Sequence, residues 1–185
     1  MVFEQQAANE INKEQERLVM RDIFGNAAGG NDIVWSATAR PGVAEVDHIE
    51  ELPIAINLAA AKIYQRTAGN LAAGFVVAGS NVVAYLQKSK SFVANEVPQN
   101  GGSYLAGTLG TLKVYATVGI EPNDFFVGAR GNDFWQAGYV VGNYMPISNT
   151  SVVTTADFTS QEGFVSVYAN KIINSKLYVR GRITV

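Results

Sequence analysis

Apolar and polar positions follow two different periods along the chain. Between residues 4 and 24 the apolar positions recur near helical spacing and form a narrow stripe of Ile11, Leu18, Val19 and Ile23. This pattern predicts a long helix over 4–24, ended by Gly25 in the left-handed conformation. The segment IVWSATA, 33–39, alternates weakly and predicts a strand.

A second helix is predicted from near Pro53 to about Thr67. Proline suits the first helical position, and the acidic residues just before it favour the helix dipole: Asp47, Glu50 and Glu51. Residues 74–92 then combine a short apolar run, a tight turn and a second amphipathic segment. They predict a strand followed by a helix that is capped by Ser80 or Asn81.

From Tyr104 onward the pattern of apolar and polar positions is mainly that of extended chain. A loop is predicted at 94–103 from its Pro, Gly and Asn content, and strands are predicted at 112–118, 124–130, 137–145, 164–172 and 176–185. Helices come first and strands follow, which predicts an α+β fold.

Composition narrows the class of protein. Of 185 residues, 48% are hydrophobic and only 16% are charged, so much of the surface is uncharged and suited to burial against partner chains. The net charge of −2 and the absence of a basic run argue against a nucleic-acid-binding protein. There is no cysteine, no apolar run long enough to span a bilayer and no signal-like N-terminus, so a soluble cytoplasmic product is expected.

Residue types that carry chemistry are sparse. His48 is the only histidine, and its setting in EVDHIEE favours a solvated, acidic start of a helix over a metal site. GTLGTLK, 107–113, lacks the Gly-Lys-Ser/Thr ending of a phosphate loop and indicates a turn leading into a strand. We therefore predict no catalytic, metal-binding or cofactor-binding residue, and no enzyme activity.

An ordered set of segments resembles the major capsid proteins of large contractile-tailed phages. NEINKEQERLVMRDIF resembles their EINRE-type helix, and FVVAGSNVVAYLQ resembles a strand and helix of that family. The segment 105–147 looks like the family's long glycine- and tyrosine-rich block, and KLYVRGRITV is similar to its closing strand. Within the block, the chain keeps the family's residue at Gly107, Leu109, Val114, Tyr115, Asp124, Val127, Gly128, Gly131, Ala137, Gly138, Tyr144 and Pro146.

The resemblance implies the fold of the Hong Kong phage 97 capsid protein, an α+β fold with a spine helix and peripheral sheet beside an axial domain. On that template, residues 1–52 hold the spine helix and a peripheral strand, and residues 53–130 form mainly the axial domain. Residues 131–185 return to the peripheral domain. Compared with the family, the chain is expected to lack an N-terminal arm and an extended loop.

The function implied by the resemblance is structural. The resemblance implies that identical subunits form hexamers and pentamers of an icosahedral virion shell, which is assembled in the host cytoplasm and encloses double-stranded DNA without sequence-specific contacts. Other virion proteins are further candidate partners, whereas no membrane and no cofactor are expected. The candidate residues at a subunit interface or domain junction are Arg17, Arg130, Phe134 and Trp135.

The aromatic pair Phe134–Trp135 has two interpretations. A buried turn cluster is favoured, because large aromatics dominate core packing. A contact with a neighbouring subunit is the alternative, and neither requires catalysis.

Two other functions stay open at this point. An encapsulin-like nanocompartment shell shares the implied fold. A small hydrolase or carbohydrate-binding domain would instead use exposed aromatics such as Trp35, Tyr104 and Tyr168 to stack on sugars.

Overall fold

The computed structural model describes residues 2–27, 33–95, 102–157 and 160–184. Within these ranges the helices are α1 (Val2–Asn26), α2 (Glu45–Ile49), α3 (Glu51–Arg66) and α4 (Ser80–Lys88), with 3₁₀ turns at Phe134–Gln136 and Ser175–Leu177. The strands are β1 (Ile33–Ser36), β2 (Ala73–Ala78), β3 (Phe92–Ala94), β4 (Tyr104–Leu109), β5 (Leu112–Ala116), β6 (Asp124–Ala129), β7 (Tyr139–Asn149), β8 (Val153–Thr154), β9 (Ser160–Gln161), β10 (Phe164–Ile172) and β11 (Tyr178–Thr184).

Seven of the described strands form one mixed sheet in the order β1-β11-β6-β2-β5-β4-β3. The pairs β1–β11 and β2–β5 are parallel, and the other neighbours run antiparallel. Helix α3 packs across β1, β11, β6 and β2. It buries one side chain per turn, at the spacing that a helix on a sheet requires: Leu52, Ile56, Ala59 and Ile63.

Strand β6 lies in the interior of this sheet and is buried along its whole length. Because successive side chains point to opposite faces, its burial shows that both faces of the sheet are covered here. Phe125 and Phe75 lie directly opposite Gly181 and Gly128 on neighbouring strands. A Cβ atom added to either glycine would come within 2.3–2.4 Å of the facing ring, so the rings fill the space that those glycines leave.

The remaining strands form an arm beside the main sheet. Strands β7 and β10 pair antiparallel, and the short β8 and β9 continue the ribbon. Helix α1 contacts β10 and also touches β11. A two-stranded ribbon is marginally stable alone, so its attachment to α1 is what holds it to the body.

The predicted α+β class, the long first helix and the strands after Tyr104 are confirmed. Two capping predictions are wrong. Helix α1 continues through Gly25 to Asn26, whose side-chain amide donates to the Asp22 carbonyl. Helix α4 starts one residue early, with Gly79 at the N-cap and no side-chain cap. Of the predicted loop 94–103, residues 96–101 lie outside the described residues.

The predicted division into 1–52, 53–130 and 131–185 stays a prediction. The seven-stranded sheet contains a strand from the first range, five from the second and β11 from the third. The arm strands β7 and β10 form their own sheet, against the spine-like helix α1.

The solvated position expected for His48 is wrong. Its side chain is buried, and its ring stacks on Trp35 with centroids 5.0 Å apart and an angle of 20° between the planes. His48 Nε2 lies 2.7 Å from the carbonyl oxygen of Ser36, which makes that nitrogen the donor. Helix α2, which the hydrophobic pattern did not indicate, turns this imidazole inward onto the end of β1.

We predict that His48→Ala lowers the free energy of unfolding by about 2 kcal/mol, because it removes a stacked buried ring and leaves the Ser36 carbonyl without its donor. The neighbouring exposed Asp47→Ala is the matched control, with an expected change of about 0.5 kcal/mol or less. Urea unfolding of the three proteins checks both values. Equal stability of His48→Ala and the parent chain would show that the buried imidazole contributes nothing to the fold.

Candidate subunit-contact site

The described residues contain no group of three His, Cys, Asp or Glu side chains placed to hold a metal ion. Among the described helices, none combines the length and hydrophobicity that crossing a bilayer requires. Trp35, one of the aromatic residues proposed for sugar stacking, is buried. Trp35 is 5% exposed and lies against His48 and Tyr85, so its face is already occupied.

The aromatic turn after β6 is exposed. Phe134 and Trp135 lie in the 3₁₀ turn Phe134–Gln136, with 72% and 90% of their surfaces accessible. Their rings meet edge to face, with centroids 5.8 Å apart and an angle of 78° between the planes. We call this pair the aromatic knob. The favoured interpretation of a buried cluster is wrong for the single chain, because most of the surface of both residues is open to solvent.

Two charged residues flank the knob. Arg130 and Asp133 are both exposed, and neither has a side-chain partner among the described residues. Both also line a hollow of about 290 Å³ at the base of the turn, beside Phe75 and Tyr178. The knob rings are not part of its lining and are open to solvent.

The fourth candidate, Arg17, lies elsewhere. It is exposed on α1, one helical turn before Arg21. Arg21 lines a cleft of about 460 Å³ between α1 and the loop 117–122, which we call the α1 cleft. The structure therefore brings Arg130, Phe134 and Trp135 together and places Arg17 beside a different surface.

The floor of the α1 cleft carries a buried carboxylate. Asp124, the first residue of β6, is 1% exposed and accepts two hydrogen bonds from Arg182, at 2.5 Å from Nε and 2.8 Å from Nη2. This paired, bidentate arrangement satisfies the carboxylate and fixes the guanidinium in the wall of the cleft. The rest of the lining is partly apolar and includes Phe24, Ile120 and Pro122.

A third exposed surface lies on the arm. Along β10 the exposed positions alternate with the ones that face α1, and they include Val165, Val167 and Ala169. Val167 pairs with Met145 of β7, which places both on the same face of the ribbon. The result is a largely apolar face, with Lys171 as its charged position on β10, that the described residues leave open to solvent.

Polar contacts attach the inner face of the arm to α1. Tyr139 donates its hydroxyl to Asp22 at 2.8 Å, and the Gln15 side-chain amide donates to Ser166 at 3.2 Å. Burial, and then the hydrogen bond to the Asp22 carboxylate, raises the pKa of Tyr139 to about 12. The neutral phenol is thus the form that holds the arm in place.

Comparisons with known proteins identify the family of this chain. The family model described as major capsid protein Gp23 matches residues 2–184, nearly the whole chain. This chain belongs to the Gp23 family of major capsid proteins. A search of curated proteins gave no match.

Two solved structures share the fold of this Gp23-family chain. A protein of Mycobacterium phage Che8 is 10% identical, with a TM-score of 0.62 over 97% of this chain and 61% of that one. The virus-like particle from Pyrococcus furiosus is 14% identical, with a TM-score of 0.55 over 92% of this chain and 63% of that one. The chain thus has the Hong Kong phage 97-type fold and spans about three fifths of the length of these structures.

The family match favours a capsid protein over the encapsulin-like and carbohydrate-binding alternatives. Sequence reasoning chose the knob from its composition but missed Arg21 and Glu121 at the α1 cleft. A signal for Arg21 was present, since it lies four residues after Arg17 on the same side of a predicted helix. Glu121 carried no signal, because only the fold brings the loop 117–122 against α1.

We predict that Tyr139→Phe loosens the arm and lowers the free energy of unfolding by roughly 1 kcal/mol at neutral pH, because the hydrogen bond to Asp22 is lost. Since the folded-state pKa is raised from 10.0 to about 12, the stability from this group is complete below pH 10 and is lost as the pH rises through about 12.

Urea unfolding between neutral pH and about pH 12 measures this difference. The parent chain should lose more stability over the alkaline range than Tyr139→Phe. The exposed Tyr144→Phe, in the same strand, is the control and should follow the parent chain. Identical alkaline profiles for Tyr139→Phe and the parent would contradict the attachment.

Proposed function

We propose that this chain is a structural subunit of a tailed-phage head, which self-assembles into hexamers and pentamers of an icosahedral shell around double-stranded DNA. The observation that carries the proposal is the match of the Gp23 capsid family over residues 2–184. The fold shared with the Che8 protein and the virus-like particle supports it. A structural, non-enzymatic role in the virion, after assembly in the host cytoplasm, is part of the same proposal.

The surface of the single chain has the properties that self-assembly requires. The aromatic knob and the outer face of the arm leave large apolar side chains open to solvent, among them Trp135 and Val167. Exposed apolar patches mark interaction sites, and interface centres are poor in charge. DNA would be enclosed without sequence-specific contacts, consistent with a net charge of −2.

We also propose that the subunit is divided into a peripheral and an axial domain. Helix α1 with the arm β7–β10 forms the peripheral domain, because α1 packs on β10 and the arm has its own sheet. The seven-stranded sheet with α3 and α4 forms the axial domain. Compared with the sequence-based ranges, this assigns β1 and β11 to the axial sheet, which they join by backbone pairing.

The test is mass and shape of the purified protein. Light scattering over a range of concentrations should show growth beyond the monomer mass of 19.8 kDa, and negative-stain images of the large fraction should show rings or shells. A strictly monomeric protein at every concentration would contradict self-assembly of this chain.

The loop between β3 and β4 is the candidate segment at the centre of a ring. We predict that deletion of residues 95–102 impairs ring formation more than it impairs folding, since the deletion removes polar chain between two strands that pair with each other. Light scattering reports assembly and urea unfolding reports folding. In the matched control, residues 95–102 are replaced by a Gly-Ser linker of the same length. Unchanged assembly of the deleted chain would contradict a function of this loop in the ring.

A further inference from the structure

The aromatic knob and the α1 cleft lie at opposite ends of strand β6. The cleft contains Asp124, the first residue of β6, and the knob follows the last residue, Ala129, after a short turn. A six-residue strand separates its ends by about 17 Å. One chain therefore displays a projection at one end of its sheet and a cavity at the other.

The cavity has the size and lining that the projection fits. Its volume of about 460 Å³ lies within the ~300–1,000 Å³ range of sites that bury drug-sized molecules, and an indole with a phenyl ring is smaller than that. Phe24, Ile120 and Pro122 give apolar contacts. Arg21 supplies a guanidinium that suits the face of an aromatic ring, and tryptophan is the best partner for it.

The charges that flank the two surfaces are complementary. Beside the knob lie Arg130 and Asp133, and beside the cleft lie Glu121 and Arg21. All four are exposed, and within the described part of the chain none has an opposite charge in contact. Because β6 holds the knob and the cleft of one chain about 17 Å apart, the pairs Arg130 with Glu121 and Asp133 with Arg21 form only between different molecules.

Resting on the proposed shell function, we propose that the aromatic knob of one subunit inserts into the α1 cleft of the next copy of this chain. The contact is head to tail, since the donor surface and the acceptor surface differ. Head-to-tail contacts build rings when the rotation between neighbours closes, as a capsomer requires. Trp135 is the buried anchor of the contact, and Arg130–Glu121 and Asp133–Arg21 form its rim.

Two alternative arrangements are a different molecule bound in the α1 cleft and a knob that packs against its own chain. The hollow beside the knob is lined by Phe75 and Tyr178, and the knob rings do not contribute to its lining. A symmetrical knob-to-knob contact would leave the α1 cleft, with Arg21 and Glu121, unused. Crosslinking, charge exchange and mixing of variants distinguish these arrangements from the head-to-tail contact.

The first experiment is site-specific crosslinking. The chain has no cysteine, so each cysteine introduced is unique. One copy carries Asn132→Cys, next to the knob, and a differently tagged copy carries Val118→Cys, on the rim of the cleft. A short bismaleimide should join the two copies. Val93→Cys on edge strand β3 is the matched control, because its valine is equally exposed, at 67% against 70%.

A yield of crosslinked product between positions 132 and 118 that is well above the yield between positions 132 and 93 supports the contact. A dominant 132-to-132 product would overturn it in favour of the symmetrical arrangement. A chain that assembles into large particles without the 132-to-118 product would overturn this inference and leave the proposed function standing. A chain that stays monomeric and forms no crosslink would contradict both.

The second experiment is a charge exchange. Arg130→Glu and Glu121→Arg should each weaken assembly about tenfold or more, because like charges then face each other at every contact. The double variant, Arg130→Glu with Glu121→Arg in one chain, should restore assembly, since each contact again has one of each sign. Failure of the double variant to recover, while both single variants unfold like the parent, would overturn the proposed pairing.

A mixing experiment tests the direction of the contact. Trp135→Ser removes the knob and Val118→Arg obstructs the cleft, and both positions are exposed, so folding should be unchanged. Each variant alone should remain small. Mixed in equal amounts, they should form a dimer and no larger species, because one knob and one cleft remain. Full assembly of either variant alone would overturn the proposal.

Discussion

The close packing of aromatic rings over glycines inside the central sheet is the constraint on which the rest of the structure depends. Phe125 lies over Gly181 and Phe75 over Gly128, so β6 is locked to both of its neighbours, β11 and β2. Interiors are packed as densely as organic crystals, so this geometry leaves little freedom in strand order or register. Strand β11 is thereby held next to the edge of the sheet, between the edge strand β1 and β6.

That position of β6 decides where the candidate contact surfaces lie. Its first residue, Asp124, is held by Arg182 of β11 and forms the floor of the α1 cleft. Its far end leads directly into the aromatic turn. A rigid, fully buried strand thus separates a projection from a cavity by a fixed length, and two rigid ends are what a repeated contact between identical subunits needs.

The arm is held in place differently from the central sheet. Its inner face is attached to α1 by a few polar contacts, whereas its outer face is apolar and open. An apolar ribbon of this kind gains stability mainly when another surface covers it. The fold therefore combines a buried central sheet with a peripheral element that leaves much of its apolar surface exposed. This combination agrees with membership in a capsid family and with low overall charge.

The sequence alone determined the α+β class, helices α1 and α3, and most of the long strands, because these elements carry strong periodicity. The family resemblance, based on ordered segments such as 105–147, also led to the correct family and fold. Three features depended on tertiary structure. His48 is buried because α2 turns it against Trp35, and Trp135 is exposed on the 3₁₀ turn that follows β6. Arg21 and Glu121 meet at one cleft only because α1 packs against a loop about 100 residues away. Periodicity reports which face of an element is apolar, but contacts between distant segments arise only when those faces pack together.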